Sequence, residues 1–412
     1  MTRLPVITGL GVVSPLGVGI ESFWAALRDG RSAIARLSSA TLSSAPECRI
    51  AAEVHDFKAT NWMEPRLVKN TGRFSQFAVA AARMAAIDSG LQLTAMSPDR
   101  VTVSVGTSMS GVTDVLLPHA ETILAGETTP PWGAREYPGH AATAHVAHAI
   151  GAAGSWATIS TACGAGMDSI AWAAERIEAG LADVVIAGGT ETPLSPVTLE
   201  AFRLFGLLSR WSGDPAGASR PFDRFRTGLV VGEGAAAVVV EEECSARARG
   251  ARIYARISAA ASAAEITAGH LEMSGATLAR CILETLRRGR RRPEDLDYIS
   301  AHGAGIPSQD VAETAGIKAA LGNRAYSVPV SSIKSMCGQA FAATSATQVV
   351  AACLSLVNGI VTPTINYDEP DPLCDLDYVP NIARTARLRT ALVHARSMGG
   401  SHTTMLLERA RT

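Results

Sequence analysis

Two stretches of this chain, Gly232–Glu241 and Gly399–Glu408, do the same thing: each turns off glycines into a long apolar strand. Each also closes a similar series of elements, so the 412 residues read as two α/β halves of one outline. In the first, Leu4–Val13, Arg100–Thr107 and Asp183–Gly189 read as buried strands, with apolar helices at Phe74–Ser89 and Ala141–Ile150. In the second, strands at Arg252–Ala260, Leu296–Ala301 and Ser327–Ser332 alternate with helices at Ser274–Arg288, Asp310–Leu321 and Ala340–Asn358. A hairpin of Leu392–Arg396 and Ser401–Glu408 completes it. The expected domains are 1–245 and 246–412, meeting at a shared centre with buried helices between sheets. Residues 31–70 read as a surface excursion, 118–138 as an irregular loop and 193–219 as a long variable stretch.

In the first half, Thr161-Ala-Cys-Gly-Ala-Gly166 sets a lone cysteine among small residues at the start of a helix. The helix repeats apolar residues at Met167, Ile170, Ala174 and Ile177 and stops at Gly180. The positive end of a helix dipole favours thiolate over thiol, and small neighbours leave a substrate room to approach. Cys163 is thus a candidate nucleophile, with a buried structural cysteine as the plainer alternative. His302 follows an apolar strand and precedes a glycine, where a side chain projects from a strand end into a site. A satisfied structural histidine fits the same place.

Several classes of function are disfavoured. A net charge of -1 provides no global field to recruit nucleic acid or an anionic membrane. Seven cysteines, odd in number and without a CxxC, point to a reducing compartment. The N-terminus runs straight into a strand, and no apolar run reaches the ~18–20 residues of a membrane span. A soluble, cytoplasmic protein is expected, without membrane insertion. Gly188-Gly189 and Gly232-Glu-Gly234 lack nucleotide-binding spacing, and His140, His145 and His148 have no further ligand nearby, so neither nucleotide nor metal is expected. Arg287-Arg-Gly-Arg-Arg-Arg292, at a helix end where cations are favoured, reads as solvated surface.

Seven landmarks occur in one order: Val6 to Gly17, Thr161-Ala-Cys163, Ala187 to Glu191, Arg220-Pro-Phe-Asp223, Gly232-Glu-Gly234, Ala301-His-Gly303 and Lys334-Ser-Met336. In these the chain resembles the β-ketoacyl synthases, the condensing enzymes of fatty-acid and type II polyketide synthesis. The resemblance implies the thiolase fold, a duplicated five-layered αβαβα arrangement. It also implies a homodimer or a heterodimer with a related subunit, and substrates carried on the phosphopantetheine of an acyl carrier protein, with no cofactor of the enzyme's own. By the same resemblance Cys163 takes an acyl group, and its amide with that of Met398 forms the oxyanion hole. His302 steadies the malonyl thioester as it loses carbon dioxide, and Lys334 supports the site with Asp310 and Glu313 around it. On their own, those two acids read as a solvated helix start.

Four departures bear on mechanism. Gln339 stands where the family has its second catalytic histidine, and Gln348 where a glutamate pairs with the lysine. Ala304 and Ile306 replace two threonines that bind the pantetheine arm, and Met398 replaces the gating phenylalanine. Glutamine still offers an N–H donor but neither accepts nor delivers a proton near neutral pH. Decarboxylative condensation with His302 as principal donor is the expectation. The alternatives are an acyltransferase that passes the acyl group of Cys163 to another nucleophile, and a partner subunit of the chain-length-factor kind, although such subunits lack the cysteine.

Overall fold

The computed structural model describes residues 3–37, 49–93, 96–265 and 274–410. Part of the expected surface excursion, residues 38–48, lies outside the described residues. The first half carries strands β1 (Pro5–Ser14), β2 (Val101–Gly106), β3 (Trp156–Ile159), β4 (Val184–Glu191) and β5 (Gly234–Glu242). The second carries β6 (Ala255–Ala264), β7 (Ile299–Ser300), β8 (Val330–Ser331), β9 (Thr390–Arg396) and β10 (Ser401–Glu408).

Hydrogen bonding runs β8-β7-β9-β10-β6-β1-β5-β4-β2-β3. Read outward from the middle, one half is 1-5-4-2-3 and the other 6-10-9-7-8, the same order displaced by five. The senses match as well. In each half the first two pairings are antiparallel and the outer two parallel. The two halves of this order join where β1 pairs antiparallel with β6, Val6 opposite Arg256 and Ile7 opposite Ala255.

Two helices, α3 (Ala165–Glu178) and α6 (Phe341–Asn358), lie between the sheets, and their apolar residues pack with those of the strands in the largest core cluster. Among the described residues α6 is long and apolar enough to cross a membrane, yet it is buried in the protein. Small residues make this close layering possible. A Cβ on Gly166 would stand 2.3 Å from the Ala342 carbonyl oxygen of the facing helix. Outside lie α1 (Arg73–Ser89) and α2 (His140–Ile150) on one sheet, α4 (Ala276–Arg288) and α5 (Pro307–Leu321) on the other. This is the αβαβα thiolase fold.

Two segments differ from expectation. The expected irregular loop contains a helix, Leu117–Leu124, whose Pro118 sits in the first turn, where a missing N–H costs nothing. The variable stretch contains Pro196–Leu204, capped by the Ser195 hydroxyl on the Thr198 amide.

Candidate active site

Cys163 sits in a single turn, Ala162–Gly164, between β3 and α3. Ala162 has φ 56°, an unfavoured region for a residue with a side chain, and the turn is held from outside. Ser397 does this: its hydroxyl accepts from the Gly164 amide at 2.9 Å and donates to the Thr161 carbonyl. Ser345 likewise accepts from the Met167 amide at 3.1 Å. Hydroxyls therefore occupy two amides at the helix entrance.

The thiol forms part of the wall of a cavity of about 400 Å³ shared with His302, Gln339, Arg396 and Met398. Ala304, Ile306, Phe202 and Phe341 make the rest of that wall largely apolar. Burial pushes the Cys163 thiol up; a hydrogen bond with Gln339, the charge of Lys334 and the Met398 amide oppose it without overcoming it. The sequence expectation of a thiolate is thus corrected. Desolvation of the sulfur outweighs the groups that favour the anion there, and the resting form is the thiol.

His302 follows β7 and is buried. Its Nδ1 accepts from the Arg396 amide at 3.1 Å, which leaves Nε2 as the proton-bearing nitrogen. Burial, then the charge of Lys334, hold the ring well below its usual range, so it is neutral at working pH. Glu313 fixes its backbone, with one oxygen accepting from the His302 amide and the other from Gly303, both at 2.7 Å.

Lys334 is buried and donates to the His302 carbonyl at 2.5 Å and to Gln348 Oε1 at 3.1 Å. Gln348 Nε2 in turn donates to the Ala301 carbonyl at 2.7 Å and the His394 carbonyl at 3.2 Å. An amide suits this place because it must accept on one side and donate on the other. Asp310 and Glu313, one turn apart on α5, are buried, so the solvated helix start is set aside. They part company there. Asp310 accepts from the Phe222 amide at 2.8 Å and lies 3.5 Å from Arg226, while Glu313 serves His302.

Met398 stands at the rim, its side chain 55% exposed, in the turn that joins β9 to β10. The arginine run is elsewhere. Arg291 binds Glu408 at the end of β10 remote from that turn, roughly 20 Å away at about 3.4 Å per residue. A larger groove of about 530 Å³ opens there between Arg291, Arg389 and Arg409, without a nucleophile. His145 pairs with Glu136 and His140 stacks on Trp156.

Four residues at the site escaped the sequence reading: Glu265, His394, Arg396 and His402. The available signal was His394 and Arg396 at alternate positions of β9 after the apolar run Ala391–Val393, hence on one face.

Two family models match the chain: β-ketoacyl synthase, N-terminal domain, over residues 5–246, and β-ketoacyl synthase, C-terminal domain, over residues 254–368. The chain belongs to the β-ketoacyl synthase family. The tetracenomycin polyketide synthase ketoacyl synthase alpha subunit of Streptomyces glaucescens is 39% identical over 98% of this chain and 97% of that protein. The 3-oxoacyl-[acyl-carrier-protein] synthase 2 of Synechocystis is 36% identical over 98% and 97%. Among solved structures, a type II polyketide ketosynthase in complex with its acyl-carrier protein matches at a TM-score of 0.90 and 33% identity, covering both chains fully. The ishigamide ketosynthase/chain length factor matches at 0.92 and 31%, again over the full length of both. This β-ketoacyl synthase thus resembles condensing enzymes from end to end while carrying Gln339 and Gln348 in its site.

Proposed function

We propose that this β-ketoacyl synthase transfers an acyl group from an acyl carrier protein to Cys163 and condenses it with a malonyl unit on a second carrier. In the first step the Cys163 sulfur attacks the acyl thioester, and the carrier thiol leaves with the proton. In the second, the malonyl carbon–carbon bond breaks and carbon dioxide departs. The electron pair passes to the thioester oxygen as an enolate, whose carbon attacks the acyl group on Cys163. The carbon–sulfur bond then breaks, leaving a 3-oxoacyl thioester on the carrier and a Cys163 thiolate, which takes a proton from solvent. The thioester arms come with the carrier, and no redox cofactor is called for.

One observation carries the reading: His302 shares the cavity with Cys163 and has its Nδ1 occupied by the Arg396 amide. A neutral imidazole presenting Nε2–H is a donor, suited to an oxygen gaining negative charge. Transfer to an alcohol or amine would call for a base, and this tautomer offers none on the cavity side. Gln339 adds a second N–H, and the amides of Cys163 and Met398 would receive the oxyanion of the acyl group. Retention of Cys163 favours an enzyme over a silent partner subunit.

The setting is cytoplasmic fatty-acid or type II polyketide synthesis, in a homodimer or with a related ketosynthase-like subunit. The test is direct. Mass spectrometry after incubation with acyl-carrier protein should show an adduct at Cys163, absent in Cys163→Ala. Malonyl-carrier protein should then release carbon dioxide, and His302→Ala should slow that release by about a hundred- to a thousandfold. An adduct without carbon dioxide release would favour acyl transfer to another nucleophile; no adduct would point to a partner subunit.

A further inference from the structure

Behind His302 runs a buried chain of titratable side chains that the steps above do not use. Glu313 Oε1 pairs with His394 Nδ1 at 2.5 Å, and His394 Nε2 meets His402 Nδ1 at 3.1 Å. His402 Nε2 meets Glu265 at 2.9 Å, and Arg396 donates to the same carboxylate at 2.7 Å. The two imidazoles are nearly coplanar, 6° apart, so the hydrogen bond between them runs edge to edge. All five side chains are at most 6% exposed. The carboxylates sit at both ends with the rings between, an order that lets each charged group face an opposite one.

The chain touches the reaction site at one place. The Glu313 oxygen that pairs with His394 also accepts the His302 amide, and its other oxygen accepts the Gly303 amide. We propose that His394 is a positioning residue for the condensing reaction. Paired with Glu313 on one side and backed by His402 and Glu265 on the other, it keeps the Glu313 carboxylate clamped on the amides that aim His302. The inference rests on the condensing reading of this site.

The electrostatics agree with the geometry. Burial works to raise Glu313, and the charge and hydrogen bond of His394, with the two amides, hold it below the usual carboxylate range instead. Lys334 and Tyr378 face Glu313 from other elements, and Asp310 lies one turn away on its own helix. His394 faces Glu313 and His402, with the His302 ring 6.1 Å off and Arg396 two residues on. Burial and the charge of His394 lower His402 to about 4, which makes it the neutral neighbour in the chain.

Removing His394 leaves burial of Glu313 opposed only by the two amides and the charge of Lys334. In His394→Asn the carboxyl should take up its proton about one to three pH units higher than in wild type, the usual effect of a nearby opposite charge. The infrared carbonyl band of protonated Glu313, identified by its loss in Glu313→Gln, reports this without reference to activity. The acid limb of carbon dioxide release should move up with it, while acylation of Cys163 stays within about twofold. An infrared titration at the same pH in both proteins overturns the proposal. So does an equal loss of acylation and decarboxylation, which marks a merely structural histidine. If His394→Asn does not fold, His402→Asn carries the prediction of a smaller upward shift, and an unmoved band there counts equally against it. Absence of carbon dioxide release from wild type would overturn the condensing reading instead, leaving the infrared result to decide this one.

Discussion

Lys334 shows how a single residue can be recognised in sequence while its bond to a backbone carbonyl is set only by the fold. Its match to the family lysine placed Asp310 and Glu313 around it and Gln348 at the pairing position; both acids act on it through their charge, and its two hydrogen bonds go to Gln348 and to the His302 carbonyl. Burial brings its ammonium down to about 8. Deprotonation removes the positive charge behind His302 and weakens both charge-assisted hydrogen bonds, so carbon dioxide release should fall as pH rises through about 8. Stability moves the other way. The folded value lies below the ordinary 10.5, so the unfolded chain binds more protons between those limits, and stability attributable to this group rises across that window. Lys334→Met should remove the alkaline limb from the pH–rate profile of carbon dioxide release. A limb unchanged in that variant would assign it to another group. Cys163 carries a parallel lesson. The turn into α3 is visible as a run of small residues, whereas the desolvation that keeps its thiol protonated comes from what closes over it.

At the scale of elements, the close approach of α3 and α6 brings the halves into one site. It puts Gly166 against Ala342 and, at the same level, the cysteine turn beside the segment that presents Gln339. Gly166→Val would drive a branched side chain into backbone already 2.3 Å from the first added carbon. We expect destabilisation of at least about 1–3 kcal/mol, read as a lowered thermal midpoint, with loss of Cys163 acylation as the turn shifts. An unchanged midpoint would mean the helices separate at little cost. The glycines were legible as small residues in a helix. That they face a carbonyl 176 residues away was not, because helical periodicity identifies the buried face but not its neighbour.

On the scale of the whole molecule, the continuous order of strands ends at β3, which pairs on one side with β2. Trp156 on that edge is 49% exposed, and Ile123 and Leu124 in the same half are more so. An open edge with apolar side chains suits pairing with a second subunit. In the dimer proposed above, Trp156→Asp should shift the assembly to monomers in sedimentation, and a variant that stays dimeric would place the interface elsewhere. By itself the sequence determined the alternation of elements, the likeness of the two halves, the cysteine at a helix entrance and the histidine after a strand. Each of these is written in local periodicity or in short motifs, where neighbours in the chain are neighbours in space. Only the tertiary structure decided which tautomer His302 adopts, that Glu313 and not Asp310 serves it, and that Glu265, His394, Arg396 and His402 stand in a line behind it. The tautomer and the two ends of that line depend on atoms brought together from residues 81 to 137 apart, and on the loss of water around them. Neither contact nor desolvation has a pattern in the one-dimensional chain.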